Sequence, residues 1–290
     1  MPIFEQTYRS YEGNDRLMWR WRAIVWQELR TLIAAKPFLM LLAWASLLFL
    51  LRAAQVIAVD SFRSSNRNVA AMLNQFDALA INEAMFLNFL RTEGPVMVVI
   101  LLYAGSGMIC NDFRNNLMEV FFSKPLTWID YVLGKSIALI LIGLGVTLVP
   151  GLLLLLLHNL LVPGMKTLRD TAWLAGPIVA FSCLMTLPTA FAVLASSALS
   201  HGQRQAATAL FVLLMGDLII PRAFAAALFK PECLVLSVPL AINQVGETLF
   251  GQRNRMFDLP WGWGVSLAAA VAVTGAVIVC LRTRRAEAAA

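Results

Sequence analysis

NDFRNNLMEVFFSKPLTWIDYVLGK, residues 111–135, is the most ordered polar interruption between two long apolar runs of this chain. Within it, Leu117, Val120 and Phe121 recur at the spacing of one helix face. Pro125 ends that helix, because proline lacks the N–H donor and disfavours helix in the residue before it. The stretch therefore predicts a short amphipathic helix lying along a membrane face.

A second helix follows the proline and continues directly into apolar sequence. Asp130 is suitably placed to cap its start. The turn at Pro125 thus joins a surface helix to a membrane span. A membrane protein driven by a separate motor needs such an element, because a rigid surface helix is something that a partner can push.

The composition is that of an integral membrane protein. Of 290 residues, 59% are hydrophobic and 14% are charged, whereas globular chains average roughly 45–50% and about 25%. The formal charge of +6 indicates membrane orientation, since the basic residues flank apolar segments. A nucleic-acid-binding protein would show a basic face on a soluble fold, and none is predicted here.

Six segments can cross a membrane, because a spanning helix needs roughly 20 apolar residues. They are residues 37–59, 95–110, 131–157, 172–199, 207–229 and 260–281. The second is short because it passes straight into the surface helix. We predict an all-α integral membrane fold with six transmembrane helices, preceded by an N-terminal region at 1–36 and followed by a short tail at 282–290.

Residues 16–36 predict an amphipathic interfacial helix. Its apolar stripe consists of Leu17, Trp21, Ile24, Val25, Leu29 and Leu32. Its arginines suit the phospholipid headgroups of a lipid bilayer.

Charge distribution predicts the orientation. Basic residues concentrate in the N-terminal region, the 111–135 stretch, the 200–206 loop and the tail, so these are assigned to the cytoplasm. The opposite loops carry acidic residues that include Glu83, Glu93 and Glu247. Both termini are therefore expected on the cytoplasmic side.

The apolar sequence of residues 230–258 is too interrupted to span the membrane, so we expect this segment to form a re-entrant or interfacial hairpin.

Polar residues inside the spans are candidate pathway or interhelical groups. Asp217 should face protein or water, because a mid-bilayer carboxylate costs roughly 2.5–3.5 kcal/mol on insertion scales. A kink at Pro221 could bring Arg222 to it. Ser182 and Thr186 offer interhelical hydrogen bonds, or line a pathway. Arg52 is interpreted as an interface anchor.

Several catalytic or cofactor sites are excluded by spacing. Gly134-Lys135-Ser136 is not a phosphate-binding loop, because Ile129 stands where that motif needs glycine. Lys135 is expected to pair with headgroups. The two histidines are predicted on opposite membrane faces, so they form no metal site. The four cysteines form no disulfide framework.

The central stretch resembles the first cytoplasmic loop of the type-2 ABC exporter permeases. In that family an acidic residue and a Leu-Glu pair precede Pro-Leu/Ile-x-x-x-x-Tyr-x-x-Gly-Lys. The matching residues are Asp112, Leu117, Glu119, Pro125, Leu126, Tyr131, Gly134 and Lys135. Asn115-Asn116 stands where Gly-Thr is common, and Met118 separates leucine from glutamate. Glu28-Leu29-Arg30 also resembles the family's entry helix.

The resemblance implies that this loop carries a coupling helix seated on cytoplasmic ATP-binding subunits. The implied contact residues are Asp112, Arg114, Leu117, Met118, Glu119, Phe121, Phe122 and Pro125, with Asp112, Arg114 and Glu119 at the rim. The second inner loop would add His201, Gln203 and Arg204. ATP and Mg²⁺ would bind the partner and no cofactor this chain.

The resemblance further implies a second copy of the chain or a homologous permease, a bacterial inner membrane, an exporter and room for an extracytoplasmic accessory protein. The Leu-, Ala- and Val-rich spans suit an apolar or amphipathic cargo. Two other classes stay open: an intramembrane enzyme using Asp217, and a scaffold subunit without a pathway of its own.

Overall fold

The computed structural model describes residues 19–65, 82–123, 126–161, 171–228, 234, 236–252 and 261–287. Over these ranges the chain is helical and contains no strand. Six helical segments are long and apolar enough to cross a membrane. The predicted all-α membrane fold with six spans is confirmed.

The ten α-helices are numbered along the chain. They are α1 Trp21–Ile33, α2 Lys36–Ser65, α3 Glu83–Gly105, α4 Cys110–Arg114, α5 Leu117–Phe122, α6 Trp128–Leu161, α7 Ala175–Leu199, α8 Gln203–Leu228, α9 Val238–Leu249 and α10 Trp261–Glu287. A 3-10 turn, Ala172–Leu174, precedes α7. The spans are α2, α3 continuing through α4, α6, α7 with its 3-10 turn, α8 and α10.

The fourth span, α7, lies at the centre of the bundle and packs against α3, α6, α8, α9 and α10. Its backbone lies close to α10, where a Cβ on Gly275 would lie 2.7 Å from the Phe191 carbonyl oxygen. Two apolar clusters fill the interior, one near α4 and α5 and one near α9, which we call the far end. Much of α2 and α8 remains exposed apolar surface.

The second span starts twelve residues earlier than predicted. Asn82 caps α3 by accepting a hydrogen bond from Met85 N at 3.2 Å, and Pro95 lies inside the helix. Proline is tolerated in a membrane helix when neighbouring groups satisfy the freed carbonyl. The expectation that Pro95 restarts the apolar sequence was therefore wrong, and Glu93 lies inside the span rather than in a loop.

Other helix boundaries also differ from prediction. α6 continues to Leu161, so His158 is a buried helical residue and not part of a loop. α10 continues to Glu287, so the arginines assigned to a tail are helical. The amphipathic helix is described from Trp21 and packs against α6 through buried Ile24 and Val25. In the sequence, the helical spacing of Val69, Met72, Leu73, Phe76 and Leu79 predicts a helix half-buried against the outer membrane face. These residues lie outside the described part of the chain.

A tight turn at residues 106–109 separates α3 from α4. The Ser197 hydroxyl on α7 accepts hydrogen bonds from the N–H groups of Ile109 and Cys110, both at 3.1 Å, and donates to the Ser106 carbonyl at 2.9 Å. A side chain from the fourth span thus supplies the partners that the broken second span lacks.

Replacing Ser197 with Ala should lower the melting temperature of the purified chain. Two buried N–H groups would lose their acceptor, at a cost of about 1–3 kcal/mol for each unsatisfied group. Ser196→Ala is the matched control, because the Ser196 hydroxyl donates only within its own helix, to Val193 O. Equal melting temperatures for the two variants would contradict the assigned role of Ser197.

Candidate functional site

The predicted surface helix is two short helices, α4 and α5, which with their connection we call the surface segment (residues 110–122). Asn115 and Asn116 form the connection, and Asn116 has a φ of 53°. Asparagine adopts this left-handed conformation more readily than most residues. The Asn-Asn pair therefore turns the chain between Asp112 and Leu117.

α5 presents one face outward and one inward. Leu117 and Val120 are 37% and 54% exposed. Met118 is buried, and Phe121 and Phe122 pack against the core. Spacings of three and four residues place these three on one helix face. The expectation that Phe121 joins Leu117 on the outward face was wrong.

The remaining residues of the predicted contact set divide in the same way. Arg114 and Glu119 are exposed, as a rim contact requires. Asp112 is buried, so the expectation that it sets register at the rim was wrong. Pro125 lies outside the described residues.

Asp112 belongs to a buried ionic cluster centred on Lys135 of α6. The Lys135 ammonium lies 2.7 Å from the Asp112 carboxylate and 2.5 Å from that of Glu28 on α1. It also donates to the Met108 carbonyl at 3.0 Å, and Tyr131 OH donates to Asp112 at 2.7 Å. The side chain of Lys135 is 2% exposed, so the prediction that it pairs with headgroups was wrong.

The cluster surrounds its cation with three acceptors: Glu28 and the Met108 carbonyl accept hydrogen bonds, and Asp112 forms an ion pair. Those acceptors come from α1, from the turn after α3 and from α4. Pairing between buried charges of this kind is strong, and its loss leaves an uncompensated charge. Lys135 therefore fastens the entry helix, the second span and the surface segment to the third span.

Aromatic contacts connect the outer helix α5 to this cluster. The rings of Phe121 and Tyr131 meet edge to face with centroids 5.5 Å apart. The Lys135 ammonium lies 5.4 Å from the Tyr131 ring centroid. A displacement of α5 thus reaches the ionic cluster through two packed rings.

The last span also contacts the surface segment, a contact that sequence reasoning missed. The Arg282 guanidinium lies 5.3 Å from the centre of the Phe113 ring. A Glu287 carboxylate oxygen accepts from Trp128 N at 3.3 Å, at the start of α6. These charges had been interpreted only as orientation signals, and no periodicity relates them to residues more than 150 positions away.

The second predicted contact loop lies beside the first. His201, Gln203 and Arg204 are all exposed. A Cβ on Gly107 would lie 2.7 Å from Asn111 Nδ2 and 3.2 Å from the Gln203 side-chain amide carbon. The two segments predicted to contact a partner therefore form adjacent parts of one surface.

Asp217 has a structural partner at the far end. Its carboxylate accepts from Val238 N at 3.1 Å and from the Ser237 hydroxyl at 3.4 Å, so it caps α9 from the fifth span. Arg222 donates instead to the Leu218 carbonyl of its own helix at 2.5 Å. The expected approach of Arg222 to Asp217 is not an ion pair among the described residues.

A second polar contact also holds α9. Neither this contact nor the capping of α9 by Asp217 was predicted from the sequence. Arg91 on α3 pairs with Glu247 at 2.8 Å and donates to the Asn243 carbonyl at 3.1 Å. Ser182 and Thr186 are buried, but their hydroxyls have no hydrogen-bond partner among the described residues. The expectation that these two form interhelical hydrogen bonds was wrong.

The arrangement is that of a multi-pass membrane protein whose surface segment is held at one end of the bundle by an ionic cluster. The sequence profile of the ABC-2 family transporter proteins matches residues 22–242. The chain belongs to this family and is a permease-type transport subunit, of a kind that generally works with cytoplasmic ATP-binding subunits. It matches none of the curated proteins with which it was compared.

Replacing Lys135 with Met should destabilise the chain by about 3–5 kcal/mol, because the buried Asp112 carboxylate and the partly buried Glu28 carboxylate would lose their shared cation. Chemical unfolding measures the loss. Lys36→Met, at an exposed lysine, is the matched control. Adding Asp112→Asn to Lys135→Met should restore part of the loss, since Asn removes a charge and still accepts from Tyr131. A Lys135→Met protein as stable as the control would contradict the cluster.

Replacing Asp217 with Asn should leave α9 capped, because asparagine caps helices about as well as aspartate. Asp217→Leu should remove the cap and cost about 1 kcal/mol. Melting temperature and amide exchange across α9 measure both variants. If Asn proves as damaging as Leu, the carboxylate has a role other than capping.

Proposed function

We propose that the chain is the membrane-spanning permease subunit of an ATP-driven exporter, coupled to separate cytoplasmic ATP-binding subunits that bind ATP and Mg²⁺. The observation that carries the proposal is the buried cluster of Glu28, Asp112 and Lys135, directly behind an exposed apolar helix. A force applied to that helix would reach the second and third spans and the entry helix without an intervening flexible segment.

The contact with the ATP-binding subunit is proposed at the surface segment and the adjacent loop. Leu117 and Val120 would enter an apolar groove of the partner, while Arg114 and Glu119 set register at its rim. His201, Gln203 and Arg204 would form the smaller contact. Compared with the sequence-based set, Val120 replaces Phe121, and Asp112 acts from inside as a positioning residue.

The transport cycle is proposed to be a rigid-body motion. Nucleotide-driven closure of the partner subunits would push α5, and the packed rings and ionic cluster would tilt the spans together. A second copy of the chain or a homologous permease would complete the pathway, with apolar or amphipathic cargo between them. The exposed apolar surface of α8 is compatible with such packing.

The proposed orientation rests on the distribution of charge, and the proposed location rests on the family resemblance. Both termini and the surface segment would face the cytoplasm of a bacterial inner membrane, because basic residues cluster there. An extracytoplasmic accessory protein would meet the opposite end, where α9 lies.

The alternative of an intramembrane enzyme using Asp217 receives less support, since Asp217 already serves as a helix cap. Such an enzyme would work without a nucleotide hydrolase and would fail with Asp217→Asn. A scaffold subunit would bind the ATP-binding subunits but would not itself move cargo across the membrane.

The combined variant Leu117→Asp, Val120→Asp should lose the ATP-binding subunit on co-purification while still inserting in the membrane. Hot-spot residues of an interface contribute about 2 kcal/mol or more each, so affinity should fall roughly thirtyfold or more for each of the two residues changed. The nucleotide hydrolysis of the assembled complex should fall with it.

Leu236→Asp is the control for that experiment, because Leu236 is an exposed apolar residue at the far end. It should retain the partner. Full association and hydrolysis by the Leu117→Asp, Val120→Asp chain would refute the proposed contact surface.

A further inference from the structure

A cavity between α2 and α3 carries an inference independent of ATP coupling. Its volume is about 270 Å³, and its polar lining residues are Arg52, Gln55, Thr92 and Glu93. At about 30 Å³ per water molecule, this volume is close to that of nine waters. The cavity is large enough for a small polar headgroup and too small for an acyl chain as well.

Glu93 is the unusual member of this lining. It is 0% exposed, and neither carboxylate oxygen has a hydrogen-bond partner among the described residues. A buried carboxylate without a partner is costly, especially within a membrane span. The residue therefore has unused acceptor capacity at the wall of a cavity.

Arg52 provides the opposite charge in the same cavity. One of its N–H groups donates to Gln55 Oε1 at 2.8 Å. A guanidinium has five donors in a planar fork that matches phosphate geometry. The cavity therefore offers two binding groups: Arg52 for an anion, and Glu93 for a cation that can donate a hydrogen bond.

The cavity opens toward lipid. Leu51 lines it and is also 60% exposed on the bundle surface. Arg52 lies sixteen residues after Lys36, or about 24 Å along the helix at 1.5 Å per residue. In a hydrocarbon core of about 30 Å, that level is close to one interface, where phospholipid headgroups begin.

We propose that this cavity binds the headgroup of a bilayer phospholipid that carries both a phosphate and a primary ammonium. The phosphate pairs with Arg52, and the ammonium donates to Glu93, whose side chain turns into the cavity to meet it. The charge-assisted hydrogen bonds offset that movement. The acyl chains leave through the mouth and lie along the exposed side of α2, beside Leu51.

The test compares phosphatidylethanolamine with its N-methylated series in bilayers that contain the purified full-length chain. After mild delipidation, mass spectrometry measures the lipids retained. The mono- and dimethyl lipids keep an N–H donor and phosphatidylcholine has none. Retention should therefore fall about tenfold at the last methylation, where the charge-assisted hydrogen bond is lost.

Two variants locate the site. Glu93→Gln should abolish the preference for phosphatidylethanolamine over phosphatidylcholine, whereas Arg52→Gln should weaken retention of both lipids and leave their ratio unchanged. Glu83→Gln is the matched control, because Glu83 is an exposed carboxylate on the same helix. It should behave like the unmodified chain.

The methylation series requires no variant, so it stands even if Glu93→Gln fails to fold. Equal retention of phosphatidylethanolamine and phosphatidylcholine by the unmodified chain would overturn the proposal. Retention of neither lipid, or a folded Glu93→Gln chain with its preference intact, would also overturn it. None of these readouts depends on an ATP-binding partner, so the permease proposal is tested separately.

Discussion

The two hydrogen bonds and the ion pair of the Lys135 ammonium are the constraint on which the packing around the surface segment depends. In a low-dielectric interior, an ammonium must find its acceptors within reach. Here they belong to Glu28, Asp112 and the Met108 carbonyl, which lie on separate elements. Satisfying one cation therefore fixes the entry helix, the turn after the second span and the surface segment at once.

The spans could be predicted from sequence because burial in a bilayer imposes long apolar segments that few other constraints produce. The start of α3 could not, because Arg91 and Glu93 are charged residues inside a helix and resemble a loop when read alone. Their positions become explicable only with the partners or cavity that face them, and those are contributed by α9 and α2.

The surface segment was predicted in position and only partly in detail. The spacing of Leu117 and Val120 shows an amphipathic turn, but in so short a helix it does not decide which face turns outward. The pairing of Lys135 with Glu28 joins residues 107 positions apart, and no local pattern encodes such a contact. Asp217 was recognised as costly in a membrane, whereas the helix that it caps follows only from the fold.

At the far end, α9 is bonded to two different spans, which limits how these spans can move. Arg91 binds it from the second span and Asp217 from the fifth, by bonds of 2.8 Å and 3.1 Å. If these two spans separated while α9 stayed with one of them, the bond from α9 to the other span would break. The far end can therefore widen in only two ways. Either the second span, the fifth span and α9 move together, or a charged side chain loses its partner inside the membrane.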